Sequence, residues 1–212
     1  LYTALALWVG SVLMIVALRS DVTAENVADG LEETHPTALY FKHRDVKLWE
    51  GFLGRYLIFG LIALIQATIL CLGELFFLKV QHAHPWEFMC AGWLMALVFS
   101  FLLYTFIATF GNAGKALGVL FLVLQISASG GAFPLDILPS FFRSISPYLP
   151  ATHGITALRA SIAGYSGNEY LDAMLLLGAF ALFAVVLGLG IRPFLIKNNR
   201  LLVEKLESTK LM

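Results

Sequence analysis

The sequence predicts an all-α, polytopic membrane protein with five transmembrane helices, and three observations carry that prediction. Hydrophobic residues make up 59% of the chain and charged residues 13%, with a mean hydropathy of +0.81, whereas soluble domains carry roughly 45–50% apolar and about 25% charged residues. Apolar runs near the length that crosses a bilayer, about 20 residues, recur with short polar links between them. The basic residues then divide unequally between the two sides that alternating spans define. Arg19, Lys42, Arg44, Lys47, Arg55, Lys115, Arg192, Lys197, Arg200, Lys205 and Lys210 fall on one side, and only Lys79, Arg143 and Arg159 on the other. Cytoplasmic loops carry the excess of Lys and Arg, so the chain is expected to start outside the cell and end in the cytoplasm.

Residues 1–18 are uncharged and end at Arg19. A secretory signal would place its charge before the apolar run, so this segment reads as a transmembrane helix. The chain opens on Leu1 already inside it, which suggests a piece of a longer protein whose missing part is N-terminal. Residues 19–52 form the one long polar segment, a cytoplasmic loop that begins acidic, with Asp21, Glu25, Asp29, Glu32 and Glu33. Its second half sets Leu39, Val46, Trp49, Leu53 and Tyr56 on one helical face, with Lys42, Arg44 and Lys47 at the margins. That pattern is an amphipathic interfacial helix; Trp49, Lys42 and Arg44 are candidates for docking a cytoplasmic partner, and a plain amphipathic connector gives the same periodicity.

Residues 53–78 read as the next span and carry Gln66 and Glu74. A short link leads to Trp86, an interfacial aromatic, and residues 86–110 form an aromatic-rich span whose rings suit packing. Residues 111–115 read as a tight turn before a span over 115–130 that carries Gln125. Ser127, Ser129, Gly130 and Gly131 follow without a polar break, and then Pro134, Pro139, Pro147 and Pro150. In hydrocarbon, irregular backbone is tolerated only against protein or beside water. Residues 131–168 therefore read as extracellular interfacial or re-entrant helices, with short helical pieces at 135–138 and 140–145. Residues 170–192 make the fifth span and 193–212 a cytoplasmic tail.

Net formal charge is zero, which points to no nucleic-acid partner. Cys71 and Cys90 lie inside apolar runs, where free Cys behaves as a small hydrophobe. GNAGKA at 111–116 lacks the G-x-x-x-x-G-K-[ST] pattern of a phosphate loop, having Thr109 and Ala116 at its ends. His82, His84 and Glu87 are close in sequence, an arrangement more common among solvated residues than in metal sites. No nucleophile elbow or zinc-protease signature occurs. The sequence thus offers no catalytic residue, cofactor site or metal site. Gln66, Glu74, Glu87 and Gln125 remain as candidate intramembrane polar groups, since polar side chains at membrane depth are costly and mark function by default.

The stretch LFLVLQISASGGAFPLDILPSFFRSISPYLPATHGITALRASIAG at 120–164, with LALWVG at 5–10 and FGNAGKALG at 110–118, resembles the C-terminal membrane region of the YhgE/Pip (phage infection protein) family, within the ABC-2 type permease superfamily. The resemblance implies a six-helix permease fold in the bacterial cell membrane, of which these are the last five helices. A first helix and an extracellular domain would precede Leu1. The loop over residues 20–55 would be the coupling element toward a separate ATPase subunit. The broken segment would be the pair of extracellular helices between the last two spans, with Gly130, Gly131, Pro134, Pro139, Pro150 and Arg159 as the candidate outer gate. A permease of this kind would act in export, as a homodimer in the lipid bilayer. Family members also suggest another role, a membrane anchor for a phage receptor or a type VII secretion scaffold without ATP coupling.

Overall fold

A computed structural model describes residues 1–17, 48–79, 81, 83–110, 112–165 and 167–191. Among them the chain is all-helical, with no strand. The helices are α1 (Tyr2–Ala17), α2 (Leu48–Phe76), α3 (Pro85–Phe110), α4 (Asn112–Ala128), α5 (Ser140–Ile145), α6 (Pro150–Ala163) and α7 (Glu169–Val186). Single 3-10 turns at Leu135–Ile137 and Ser146–Tyr148 flank α5, and α7 runs on as a π-helical turn, Leu187–Ile191.

α3 is the hub. Its most apolar stretch is 78% buried inside the protein, against 28% for α2 and 22% for α7; the outer helices therefore present apolar faces outward, as lipid demands. Exposed Leu57, Leu61, Ile65 and Ile69 on α2, and Leu175, Leu182 and Val186 on α7, form those faces. Among the described residues three helices are long and apolar enough to cross a membrane, Phe52–Phe76, Pro85–Phe110 and Glu169–Gly190, and α1 and α4 are shorter apolar helices. At 1.5 Å per residue the 17 residues of α4 reach only about 25 Å, short of the hydrocarbon thickness of about 30 Å.

Aromatic side chains bind the hub to its neighbours. Trp8 of α1 is buried; its ring meets Phe99 of α3 edge-on at 5.0 Å, and its indole N–H donates to the Gly118 carbonyl of α4 at 3.1 Å. On another side, Tyr56 of α2 packs on Phe101 at 4.5 Å and donates to the Leu97 carbonyl at 2.8 Å, while the Tyr104 hydroxyl donates to the Phe52 carbonyl at 3.0 Å. Such Tyr and Trp groups bury large apolar area yet keep their polar tip paired.

Two boundaries differ from the sequence reading for identifiable reasons. The expected turn over 111–115 is mostly helix, because α4 opens at Asn112 and Gly114 lies directly against the Phe106 carbonyl and the Ile107 backbone of α3. A residue without Cβ lets α4 fold back within van der Waals contact of the hub's last turn. At the second, the helix starts before the expected span, since α2 is continuous from Leu48 while its membrane-length apolar stretch is Phe52–Phe76. Trp49 falls in this first turn of α2, whereas Lys42 and Arg44 lie outside the described residues.

Candidate functional site

Where the chain leaves α4 it neither stops nor crosses: it folds back as a hairpin. Ser129 and Gly130 end the helix, with Gly130 in the left-handed region at φ +69°. Gly131 does not share that conformation. Its backbone is instead crowded by the Leu1 and Ile155 side chains, so a Cβ there would lie 2.7 Å and 2.9 Å from their methyl groups. The two glycines thus serve separate needs, one conformational and one steric. Pro134 (φ −55°) and Pro139 (φ −51°) then stand immediately before the 3-10 turn and α5, and Pro150 is the first residue of α6. Each supplies the fixed φ that suits a helix start and lacks an N–H that would go unpaired there.

The hairpin satisfies its own backbone. The Arg143 guanidinium donates to the Asp136 and Leu138 carbonyls at 2.9 and 3.3 Å. Thr152 Oγ1 donates to the Ser146 carbonyl at 2.7 Å, and His153 Nε2 donates to the Pro147 carbonyl at 2.8 Å. Arg159 spans the hairpin, giving Nη2 hydrogen bonds to the Gly130 carbonyl at 2.9 Å and the Gly131 carbonyl at 3.4 Å. Of the candidate gate residues, Gly130, Gly131 and Arg159 are therefore one hydrogen-bonded unit, and the three prolines set the corners.

α6 is the returning arm. It runs antiparallel to α3: the amides of Ala83 and His84 donate to the Ile162 and Ser161 carbonyls, taking up acceptors that the helix end leaves open. At the other end Gly154 abuts Met95, ten residues into α3 from Pro85, about 15 Å along the hub. The His153 ring sits 5.8 Å from Phe180, midway along α7. The start of α6 therefore lies well below the end of the bundle at which α3 begins. A helix of this length was missed in sequence, where it was subsumed in a broken segment. Its signal was present: Ala151, Gly154, Ala157, Leu158 and Ser161 are all buried and recur every three or four residues.

The four candidate intramembrane polar residues serve different seams. Gln66 Nε2 donates to the Ala6 carbonyl of α1 at 2.9 Å, in the space that Gly10 leaves free. Glu74 accepts from Thr3 Oγ1 at 2.7 Å, fastening the same helix pair nearer its end. Glu87, on α3, accepts the Tyr165 hydroxyl at 3.0 Å, and the Tyr170 hydroxyl donates to the Glu87 carbonyl at 2.9 Å. Tyr165 lies in the turn before α7, and its carboxylate partner holds its ionisation above the ordinary value of 10.0. Thr3, Tyr165 and Tyr170 are partners that periodicity could not show. Gln125 is different: it is 1% exposed, and neither Nε2 nor Oε1 has a hydrogen-bond partner. No group of three His, Cys, Asp or Glu side chains suited to a metal occurs among the described residues, and both cysteines are free thiols.

The fold and site are those of an all-α polytopic membrane protein with a buried hub helix and a folded-back hairpin beside it. The chain belongs to the ABC-2 family transporter proteins, whose family profile matches residues 39–189. It is also 32% identical over 153 residues to the uncharacterized protein YhgE of Bacillus subtilis (strain 168), a match covering 72% of this chain and 19% of that protein. The chain thus spans about a fifth of that relative's length. No solved structure matches it.

Proposed function

We propose that this region is the membrane-spanning part of an ABC-2 type export permease, with α1, α2, α3, α4 and α7 as five spans and the hairpin as its outer gate. What supports this reading is the reach of the hairpin along the bundle, with Gly154 of α6 against Met95, about 15 Å along α3 from Pro85. Irregular backbone inside a bilayer is stable only when buried in protein or lining a water-filled space, and an inert anchor has no need of it. On this reading the Pro85 end of the bundle faces outward. Exposed Trp86 at that end and the excess of basic residues on the opposite side support the orientation. The cargo of such a permease would be hydrophobic or amphipathic.

The permease would act as a homodimer with a separate ATPase subunit docked at the loop that leads into α2, and with an extracellular domain N-terminal to it. Purification of the full-length protein should bring down an ATPase, and deleting residues 20–50 should abolish that association while leaving the protein in the membrane. An intact complex after the deletion excludes this loop as the docking element.

The resemblance to phage infection proteins keeps a second role open, that of an anchor for a surface receptor or secretion scaffold in the bacterial cell membrane. Replacing all five spans with unrelated ones separates the two. Retained phage adsorption or secretion supports the anchor, and its loss supports the permease.

A further inference from the structure

Gln125 on α4 and Ser129, the residue just after that helix, stand one turn apart, and both are sealed from solvent, at 1% and 3% exposure. Neither amide atom of Gln125 nor the Ser129 hydroxyl has a hydrogen-bond partner among the described residues. At spacings of seven and four they continue the face of α4 on which Gly118 meets Leu103 and accepts the Trp8 indole. Trp8 and Phe121 stack 6.4 Å apart, Phe121 lying one turn before Gln125 on α4. Gly130 and Gly131 follow Ser129 directly, with the Ile155 side chain against Gly131 and Arg159 bonded to both carbonyls. Buried amides and hydroxyls are almost always paired with protein or with ordered water. This pair offers donors and acceptors together and carries no charge, which is the chemistry of a water site and not that of a metal ion. Arg159, the charged side chain that reaches the turn, would repel a cation.

We infer that Gln125 and Ser129 form a small polar chamber that holds water beneath the Gly130–Gly131 turn, and that release of Arg159 from the two carbonyls opens it to the outer aqueous face. The turn is then a lid: an apolar floor of Trp8 and Phe121 below, a hydrated pair at its centre, and a single guanidinium holding it shut. This deepens the proposed gate and rests on that reading for the side to which the chamber opens.

The test uses the full-length protein in whole cells, with Cys71→Ala and Cys90→Ala as background. Ser129→Cys is treated with the small, membrane-impermeant thiol reagent 2-sulfonatoethyl methanethiosulfonate. Slow labelling is expected, at least tenfold faster when Arg159→Gln is added and at least tenfold slower when Gln125→Leu expels the water that ionises the thiol. No labelling in any background, or rates that neither change alters, would overturn the chamber and its lid. Asn168→Cys, at the exposed start of α7, is the orientation control. If it reacts only from the cytoplasmic side of inverted vesicles, the orientation in the proposed function fails, and the same Ser129→Cys comparison made from that side still decides the chamber.

Discussion

Gly130 and Gly131 are adjacent yet predict different responses to the same substitution. Gly130→Ala forces a Cβ into the left-handed region and should cost about 1–2 kcal/mol, read as a fall in thermal midpoint in detergent. Gly131→Ala meets side chains, chiefly the methyl ends of Leu1 and Ile155, at an ordinary φ, so its cost should be smaller, and the order of the two midpoints checks the assignment. Lys79 provides the converse case. It holds φ +48° just after α2, where Leu78 donates back to the Gly73 carbonyl; Lys79→Gly should therefore stabilise, by roughly 0.5–1 kcal/mol. At Tyr165 the hydrogen bond to Glu87 raises the folded pKa above 10.0. The sign is that the contact stabilises at neutral pH and below, and is lost as pH rises through that raised value. Ultraviolet titration against Tyr165→Phe should show this phenol ionising above pH 10, and Glu87→Gln should bring it back toward 10. The sequence showed that Gly-Gly was special but not that its members differ, because the crowding at Gly131 comes from Leu1 and Ile155, both more than twenty residues away.

At the scale of elements, the α3–α4 contact is the one with least slack. Gly114 touches backbone of α3, not a movable side chain, so Gly114→Ala must push two helices apart. Overpacking of this kind costs about 1–3 kcal/mol, more than Gly154→Ala, where the Met95 thioether can swing aside. Helix limits were legible where chemistry marked them. Pro85, Trp86 and a run of apolar residues announced α3, and the prolines announced the corners of the hairpin. α6 was harder, since Thr152, His153, Thr156, Arg159 and Ser161 dilute its apolar residues; its identity as a buried arm depends on α3 supplying Met95 and on the 83–84 link capping its end. The partners of Gln66 and Glu74 were equally out of reach, as both lie on α1, some sixty to seventy residues away.

For the whole molecule, the alternation of helix direction follows from which ends meet. The starts of α1, α3 and α7 and the ends of α2, α4 and α6 share one end, tied by Thr3 to Glu74, Ala83 to Ile162 and Tyr170 to Glu87. At the opposite end Tyr104 reaches Phe52, and Gly188 of the π-turn lies against the Phe52 ring. Family and fold class were readable from composition and from the 120–164 block; the docking candidates Lys42 and Arg44 lie outside the described residues. The central claim is that the hairpin enters the bilayer from the Pro85 end. It is tested most directly by spin labels at Tyr148→Cys and Trp86→Cys in the cysteine-free full-length protein in lipid vesicles, comparing relaxation by oxygen with relaxation by a water-soluble nickel complex. Tyr148 and Trp86 are both exposed side chains, so depth alone should separate them. A label at 148 should be relaxed by oxygen and shielded from nickel, deeper than the label at 86; equal nickel access at the two sites would contradict entry of the hairpin into the bilayer.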